Sequence, residues 1–479
     1  MIKKILSSNI IHFVVTRYLG YGIQFLNTLL LAKYLGAYYL GVYGFLTLFL
    51  QYLSYGNFGV HYALNFYLST KKSKELTGLI YSNTIILSGL FSLLIFGAFF
   101  FMKFFDIQIF SKYSFDTFYI FIGLIAILQF TNQLFINIYR TYGILWQINF
   151  YQLIIPILQI AGFIFFQEEQ LLIFIISMTL IGNLIASIVF LIGNPLKFRF
   201  KVSSKVIQSI FSKGVNLLIY NISFYLIMLS GRTLVGIFYS VEDMGQYSFG
   251  NNLSNAVIMV MGSLSFLFFS KMINKLTSLN SNHDIIQFIE KSRKLYMNLT
   301  LIISMLFFIM VPFLVSLLPQ YGEAFKIFKI LLIAQIIISN SFGYTTLLIA
   351  KKKEFSLTEA AIITTVINLL LGGGVLLFDL SIEYIAFATF LSAIYYNIKS
   401  VIEGNRITEQ FRNIRDLLSY IFPIDLFIIL LLMVFSILFD NVLISVFGLL
   451  IYTYWNFQEL KKISKYGFEK ILNKNSLNL

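Results

Sequence analysis

Long apolar runs, each about 20 residues in length, recur along the whole sequence and are separated by short polar segments. Runs of this length can cross a bilayer as helices. Hydrophobic residues make up 58% of the 479 residues, charged residues make up 12%, and the mean hydropathy is +0.83. Soluble domains carry about 25% charged residues. The sequence therefore predicts an all-α polytopic membrane protein and excludes a soluble domain held by a single anchor.

The apolar runs predict about fourteen transmembrane helices. They cover residues 9–31, 40–66, 76–101, 117–139, 148–166, 171–193, 215–239, 245–269, 296–318, 327–350, 355–378, 382–398, 420–438 and 442–457. An arrangement of about twelve spans with two re-entrant segments would preserve the parity of the crossings.

The distribution of positive charge tests this topology, because Lys and Arg favour connections on the cytoplasmic side. Most of the 35 Lys and Arg residues fall on one set of alternate connections. The other set of connections holds Lys33, Lys103, Lys112, Lys326 and Lys329. Both termini are therefore predicted to be cytoplasmic, with the lipid bilayer in contact with every span.

The remaining composition argues against several kinds of site. The sequence has no Cys and three scattered His, so no disulfide, redox centre or His metal cluster is expected, and no cofactor is predicted. The net charge of +14 reflects the cytoplasmic Lys and Arg residues and does not predict nucleic-acid binding. The outer connections are short, the longest near residues 102–116, which argues against an external catalytic domain and therefore against an enzyme.

A weak internal repeat relates two parts of the chain. Leu35-Gly36, followed by residues 41–44 (Gly-Val-Tyr-Gly), recurs as Val235-Gly236, followed by residues 245–248 (Gly-Gln-Tyr-Ser). Transporters built from two halves often show repeats of this kind. The predicted division is a six-helix bundle at 1–193, a basic cytoplasmic linker at 194–214, a pseudo-symmetric six-helix bundle at 215–398, a second linker at 399–419, two further transmembrane helices at 420–457 and a basic cytoplasmic tail at 458–479.

The motifs around these positions resemble those of a known family. Residues 30–36, 41–43 and 56–60 are similar to the start of the polysaccharide flippases, the Wzx-type transporters of O-antigen and capsule repeat units in the MATE-like MOP exporter superfamily. Residues 232–236 and 245–247 are similar to the second half of the same family.

The resemblance implies a MATE-like fold and a flippase that moves undecaprenyl-diphosphate-linked oligosaccharide repeat units from the inner to the outer leaflet of the bacterial cytoplasmic (inner) membrane for surface polysaccharide assembly. It also implies the lipid-linked glycan, the polysaccharide polymerase and the chain-length machinery as candidate partners. The family usually carries acids where Asn57 and Gly231 stand, so no proton relay through those positions is expected. The alternatives are a lipid II flippase or a multidrug or cation antiporter of the same superfamily, followed by a membrane glycan polymerase.

Polar residues inside the spans are the candidates for substrate contact, because a charged group in the bilayer centre costs about 2.5–3.5 kcal/mol or more. Arg17, Tyr21 and Gln24 fall on one face of the first span. Tyr225 and Arg232 fall on one face of the seventh. Arg17 and Arg232 are predicted to bind the lipid diphosphate, because forked guanidinium donors suit phosphate oxygens. The alternative is that each Arg extends to its own membrane interface.

Amide and aromatic side chains dominate the remaining polar faces, which suits sugar hydroxyls better than cations. Glycan contact is predicted for Tyr21, Gln24, Asn57, His61, Tyr225, Asn251 and Asn255. The alternatives are hydrogen bonding between helices for the amides and simple packing for His61. Glu359 is the candidate for coupling transport to an ion, and its alternative role is a local ion pair with the Lys351–Lys353 cluster.

Overall fold

The computed structural model describes residues 9–70, 74–107, 110–198, 200–279, 281–411, 413–458 and 460–461. Within these ranges the chain consists of helices and their connections. It divides into two compact units, Met1–Ala256 and Val257–Leu479. Most of the predicted basic tail lies outside the described residues.

In the described part of the chain, nine α-helices begin in the first unit, and the last of them continues into the second. They are α1 (Asn9–Ser54), α2 (Val60–Thr70), α3 (Lys74–Phe104), α4 (Phe115–Thr141), α5 (Trp146–Ile160), α6 (Gly162–Phe165), α7 (Glu168–Ile192), α8 (Ser204–Phe238) and α9 (Val241–Ser278). The second unit adds α10 (Asn282–Ile309), α11 (Val311–Leu317), α12 (Gly322–Ser339), α13 (Phe342–Ala350), α14 (Glu354–Leu377), α15 (Ile382–Thr408), α16 (Ile414–Ile421), α17 (Ile424–Leu438) and α18 (Val442–Trp455).

Each predicted span coincides with one or more of these helices, which confirms the all-helical, multi-pass fold class. Among the described residues, nine helices are long and apolar enough to cross a membrane, or up to eleven if each of two bent pairs counts as one span. The count of about fourteen spans stays a prediction. The division into two six-helix bundles also stays a prediction.

Glycine sets two breaks in the first unit. Gly36 has φ 72° and ψ 170°, so it interrupts α1 at one residue, where the sequence predicted a longer connection between spans. The predicted span 40–66 is also broken, by a 3-10 turn at Tyr55–Asn57 and by Gly59, whose φ is 72°. A Cβ on Gly59 would collide with the carbonyl oxygen of Gly214 on α8, so the break allows α8 to approach closely.

Helices α4 and α7 form much of the core of the first unit, and buried amides join them. Asn132 is fully buried, donates to Asn183 Oδ1 at 3.2 Å and accepts a hydrogen bond from Ser187 Oγ at 2.8 Å. Both helices also bury apolar side chains at helical spacing, including Phe130, Phe135 and Ile175.

In the second unit, two spans are bent where their helices change direction. The α12–α13 pair bends by 46° around Asn340, and the α16–α17 pair bends by 60° just before Pro423. Helix α15 packs against α12, α13 and α14. Between α14 and α15, the buried Asn368 and Thr389 are hydrogen-bonded at 3.1 Å.

Candidate functional site

Arg17 lies half-buried in the first half of α1. Its Nε donates a hydrogen bond to the hydroxyl of Tyr21 at 2.6 Å, and its guanidinium lies 5.7 Å from the centre of the same ring. The two residues are one helical turn apart, so α1 itself forms the contact. Gln24 follows on the same face and is also half-buried. The structure therefore brings these three predicted residues together.

A second arginine lies near Arg17. Arg140, in the last turn of α4, is close enough to Arg17 for the two positive charges to repel each other. The side chain of Arg140 is exposed. Two neighbouring guanidinium groups favour an anion, because a shared negative charge relieves their repulsion.

Arg232 lies elsewhere in the first unit, and its side chain is 2% exposed. Its Nη2 donates to the carbonyl oxygen of Gly44 at 2.6 Å and to Thr47 Oγ1 at 2.8 Å. Its Nε donates to Ser248 Oγ at 3.2 Å, and its Nη1 reaches Gln51 Oε1 at 3.5 Å. The guanidinium therefore joins the second half of α1 to α8 and α9, and in this conformation it is covered by protein.

The two copies of the internal repeat meet around Arg232. A Cβ on Gly41 would collide with the carbonyl oxygen of Val241, and a Cβ on Gly245 would collide with the carbonyl oxygen of Ala37. The backbones of α1 and α9 are therefore in direct contact, as small residues allow between membrane helices. The last residues of the two copies, Gly44 and Ser248, are both hydrogen-bond partners of Arg232.

Tyr225 is 54% exposed although it shares a helix face with the buried Arg232. The phenols of Tyr55 and Tyr62 lie close enough to it for electrostatic interaction. The amide of Asn221, one turn earlier, donates to the carbonyl oxygen of Leu217 on the same helix at 2.7 Å. The exposed ring of Tyr225 therefore has two further tyrosines near it, from the break between α1 and α2 and from α2.

Asn57 and His61 contact each other at the break between α1 and α2. Asn57 Nδ2 lies 2.9 Å from His61 Nδ1, and Asn57 Oδ1 accepts the backbone N–H of Gly59 at 3.0 Å. Asn57 is 1% exposed and His61 is 6% exposed. The ring of His61 also lies on Tyr62, with 3.8 Å between centroids. This geometry favours the packing role for both residues over glycan contact.

The two predicted amides on α9 differ in burial. Asn251 is buried, and its Oδ1 has no hydrogen-bond partner among the described residues. Asn255 is half-buried.

Glu359 belongs to the second compact unit, whereas the other predicted site residues belong to the first. Its carboxylate lies 3.8 Å from Lys399 Nζ on α15 and is 48% exposed. Lys399 forms a shorter pair, 2.9 Å, with the nearly buried Glu403, which also pairs with Arg406 at 2.8 Å. Within the described residues, the ion-pair partner of Glu359 is therefore Lys399 and not the Lys351–Lys353 cluster.

The family described as "Polysaccharide biosynthesis protein" matches this chain over residues 6–268, more than half of its length. This chain belongs to the polysaccharide biosynthesis protein family. The predicted family resemblance is thereby confirmed. No curated protein matches the sequence.

Solved structures show which fold the chain shares. Lipid II flippase MurJ, in an inward closed conformation, is similar with a TM-score of 0.70 and 16% identity, covering 94% of this chain and 99% of that one. An inward-facing multidrug resistance MATE family transporter of the MOP superfamily is similar with a TM-score of 0.66 and 11% identity, covering 83% and 98%. A MOP superfamily transporter from Pyrococcus furiosus, with a binding pocket of reverse polarity, has a TM-score of 0.54 and 11% identity, covering 84% and 95%. These similarities confirm the predicted MATE-like fold.

Sequence reasoning did not find several residues that the structure makes prominent in this family member. Arg140, Arg293 and Glu403 are not among the predicted site residues, although each lies within a helix. The partners Thr47 and Ser248 of Arg232 carry little signal of their own. For Ser248 the internal repeat provides a signal, because Ser248 occupies the position that matches Gly44.

Proposed function

We propose that this protein is a flippase that moves undecaprenyl-diphosphate-linked oligosaccharide repeat units from the inner to the outer leaflet of the bacterial cytoplasmic membrane. Membership in the polysaccharide biosynthesis family supports a glycan substrate. The fold shared with a lipid II flippase and MATE transporters supports movement across a membrane. The proposed activity is translocation for surface polysaccharide assembly, without covalent chemistry.

The observation that carries the proposal is the half-buried cation of Arg17, near which Arg140 places a second positive charge. Arg17 lies inside the first predicted span, where a positive charge is costly unless it serves a ligand or partner. A diphosphate supplies several acceptor oxygens that two guanidinium groups can share. Tyr21 holds the Nε of Arg17 at 2.6 Å, so the guanidinium is oriented before a ligand arrives.

The glycan is proposed to lie along polar and aromatic surface of the first unit. Tyr225 exposes more than half of its side chain, with Tyr55 and Tyr62 nearby. Tyrosine offers both an apolar ring face and a hydroxyl, which suits sugar rings and their hydroxyl groups. The buried His61, which is hydrogen-bonded to Asn57, packs against the ring of Tyr62.

Topology and partners complete the proposal. The alternation of Lys and Arg along the sequence supports cytoplasmic termini in the inner membrane. A flipped repeat unit then emerges on the outer face, where the polymerase and chain-length machinery are the proposed partners.

The test is the leaflet location of the undecaprenyl-diphosphate-linked glycan in cells that lack this protein. We expect the glycan to accumulate on the cytoplasmic leaflet and to be moved outward by the wild-type protein. Arg17→Ala is expected to fail in this rescue, whereas Arg415→Ala, which removes an exposed arginine of α16, is expected to succeed. Glycan that reaches the outer face without the protein and stays unpolymerised would instead indicate a polymerase.

A lipid II flippase is the second candidate, favoured by the TM-score of 0.70 over nearly the full length of MurJ. Both substrates carry a polyprenyl diphosphate, so the arginine variants do not distinguish them. The two substrates are distinguished by measuring flipping in proteoliposomes that contain either one lipid or the other. The true substrate is expected to be moved faster. A cationic-drug antiporter is less well supported, because the nearly buried carboxylate of Glu403 is already paired with Lys399 and Arg406.

A further inference from the structure

Arg232 is a buried cation whose hydrogen-bond partners are all neutral. They are a backbone carbonyl, two hydroxyls and an amide oxygen, contributed by Gly44, Thr47, Ser248 and Gln51. The ion pairs found in the described part of the chain do not include Arg232. Hydrogen bonds from a cation to an anion are stronger than those to neutral acceptors. The guanidinium is therefore satisfied in this conformation but would bind a phosphate more strongly.

The contacts of Arg232 hold two helical segments together. Three of its four hydrogen bonds go to the second half of α1, at Gly44, Thr47 and Gln51. A further contact joins the same segments, since Tyr52 and Thr233 are hydrogen-bonded at 2.6 Å. If the second half of α1 moved away from α8, the guanidinium would lose most of its partners inside the membrane.

One edge of this network reaches the surface. Gln51 is exposed, and its contact with Nη1 of Arg232 is the longest of the four, at 3.5 Å. An incoming anion would therefore meet Nη1 first, by displacing a weak neutral acceptor. The remaining donors become accessible only when α1 separates from α8.

We propose that Arg232 is a latch that holds residues 37–54 of α1 against α8 and α9, and that a polyprenyl diphosphate releases it by replacing the neutral acceptors. The inference rests on the proposed function, because the diphosphate belongs to the proposed substrate. A ligand shifts a conformational equilibrium only by its preference for one state. Here the diphosphate prefers the released state, because the latched state buries the guanidinium donors. In the proposed orientation the latch lies toward the outer ends of these helices, so its release opens the outer side.

The absence of Cys from the sequence allows a single cysteine to report on the latch. Val241→Cys places it where α9 meets Gly41, at a side chain that is 7% exposed. A membrane-impermeant maleimide is added from the outside. Adding Arg232→Met to this reporter removes all four hydrogen bonds and is expected to raise the labelling rate at least about tenfold, since losing even one hydrogen bond to a charged group corresponds to about that factor. Arg232→Lys, which keeps the charge but not the fork, is expected to give an intermediate rate.

The ligand arm uses undecaprenyl diphosphate in proteoliposomes. We expect it to raise labelling of the reporter when Arg232 is present and to have no further effect in Arg232→Met. Labelling that does not change on Arg232→Met overturns the latch. Labelling that rises on Arg232→Met but does not respond to undecaprenyl diphosphate overturns release by the anion.

Two control variants separate the latch from a general loss of stability. The leaflet assay separates it from a failure of the proposed function. Thr47→Val removes one hydrogen-bond partner of Arg232 and is expected to raise labelling. Thr28→Val is the matched control on the first half of α1. It removes only a hydroxyl that donates to the Gln24 carbonyl oxygen of the same helix, so labelling is expected to stay the same. Arg293→Met disturbs a buried arginine of the second unit and is expected to leave labelling unchanged. If labelling follows these expectations while glycan flipping fails in the leaflet assay, the latch stands and the proposed substrate is wrong.

Discussion

Arg293 on α10 binds Asn340 at the bend between α12 and α13. Its Nε donates to the Asn340 carbonyl oxygen at 3.0 Å, and its Nη2 donates to Asn340 Oδ1 at 2.8 Å. The same Nη2 donates to the carbonyl oxygen of Ile421, the last residue of α16, at 2.9 Å, and Asn340 Nδ2 donates to that oxygen at 2.7 Å. Carbonyls at helix ends lack partners within the helix. Arg293 and Asn340 supply them and fix both bends to α10.

Replacing Arg293 with Met is expected to lower the free energy of unfolding by about 3 kcal/mol, because the helix-end carbonyl groups and Asn340 Oδ1 lose a charged donor. Denaturant unfolding in detergent, followed by circular dichroism, measures the change. Lys291→Met on the same helix is the matched control, since Lys291 is exposed and its loss is expected to change stability by less than about 0.5 kcal/mol. Equal losses in the two variants would contradict this role for Arg293.

Gly245→Ala is expected to loosen the contact between α1 and α9. The added methyl group meets the Ala37 carbonyl oxygen of α1, which is backbone and cannot rotate away. Labelling of the Val241→Cys reporter is therefore expected to rise, in the same direction as expected for loss of Arg232. Gly78→Ala on α3 is the control, since nothing lies within 4 Å of a Cβ there. A rate that stays the same in both alanine variants would show that the helices tolerate a wider spacing.

The sequence was sufficient to predict the helices because their signal is local. An apolar run must form a helix to satisfy its backbone in a membrane, so every predicted span coincides with helical structure. The breaks within the spans were harder to predict. Gly36 was placed in a connection and Gly59 inside a continuous span, whereas both interrupt helices at positive φ. For Gly59 the reason is the close approach of Gly214, a tertiary contact without a local pattern.

The candidate residues show the same limit. Periodicity placed Tyr225 and Arg232 on one face of α8. It could not tell that Gly44 and Thr47 cover only one end of that face, which leaves Tyr225 exposed and Arg232 buried. The Arg17–Tyr21 contact was predictable because it forms within one helix, at a spacing of four residues.

Asn57→Leu is expected to destabilise the junction of α1 and α2 by about 1–3 kcal/mol, because the buried N–H of Gly59 and Nδ1 of His61 lose their partner. Asn57→Asp keeps an acceptor for Gly59 and is expected to be tolerated better. Thermal unfolding of the two variants in the same detergent distinguishes them. If Asp and Leu cost the same, the hydrogen bond to Gly59 does not stabilise the break.

Glu403→Gln and Glu359→Gln are expected to differ, because their carboxylates sit in different surroundings. Glu403 is nearly buried between Lys399 and Arg406, so its neutralisation is expected to cost about 1–3 kcal/mol of unfolding free energy. Glu359 is half-exposed and lies 3.8 Å from Lys399, so its loss is expected to cost less than about 1 kcal/mol. Flipping by Glu359→Gln, measured as a function of pH and of Na⁺ concentration, decides its functional role. A profile equal to that of the wild type supports a local ion pair, whereas a lost dependence on either ion would show that Glu359 couples transport to that ion.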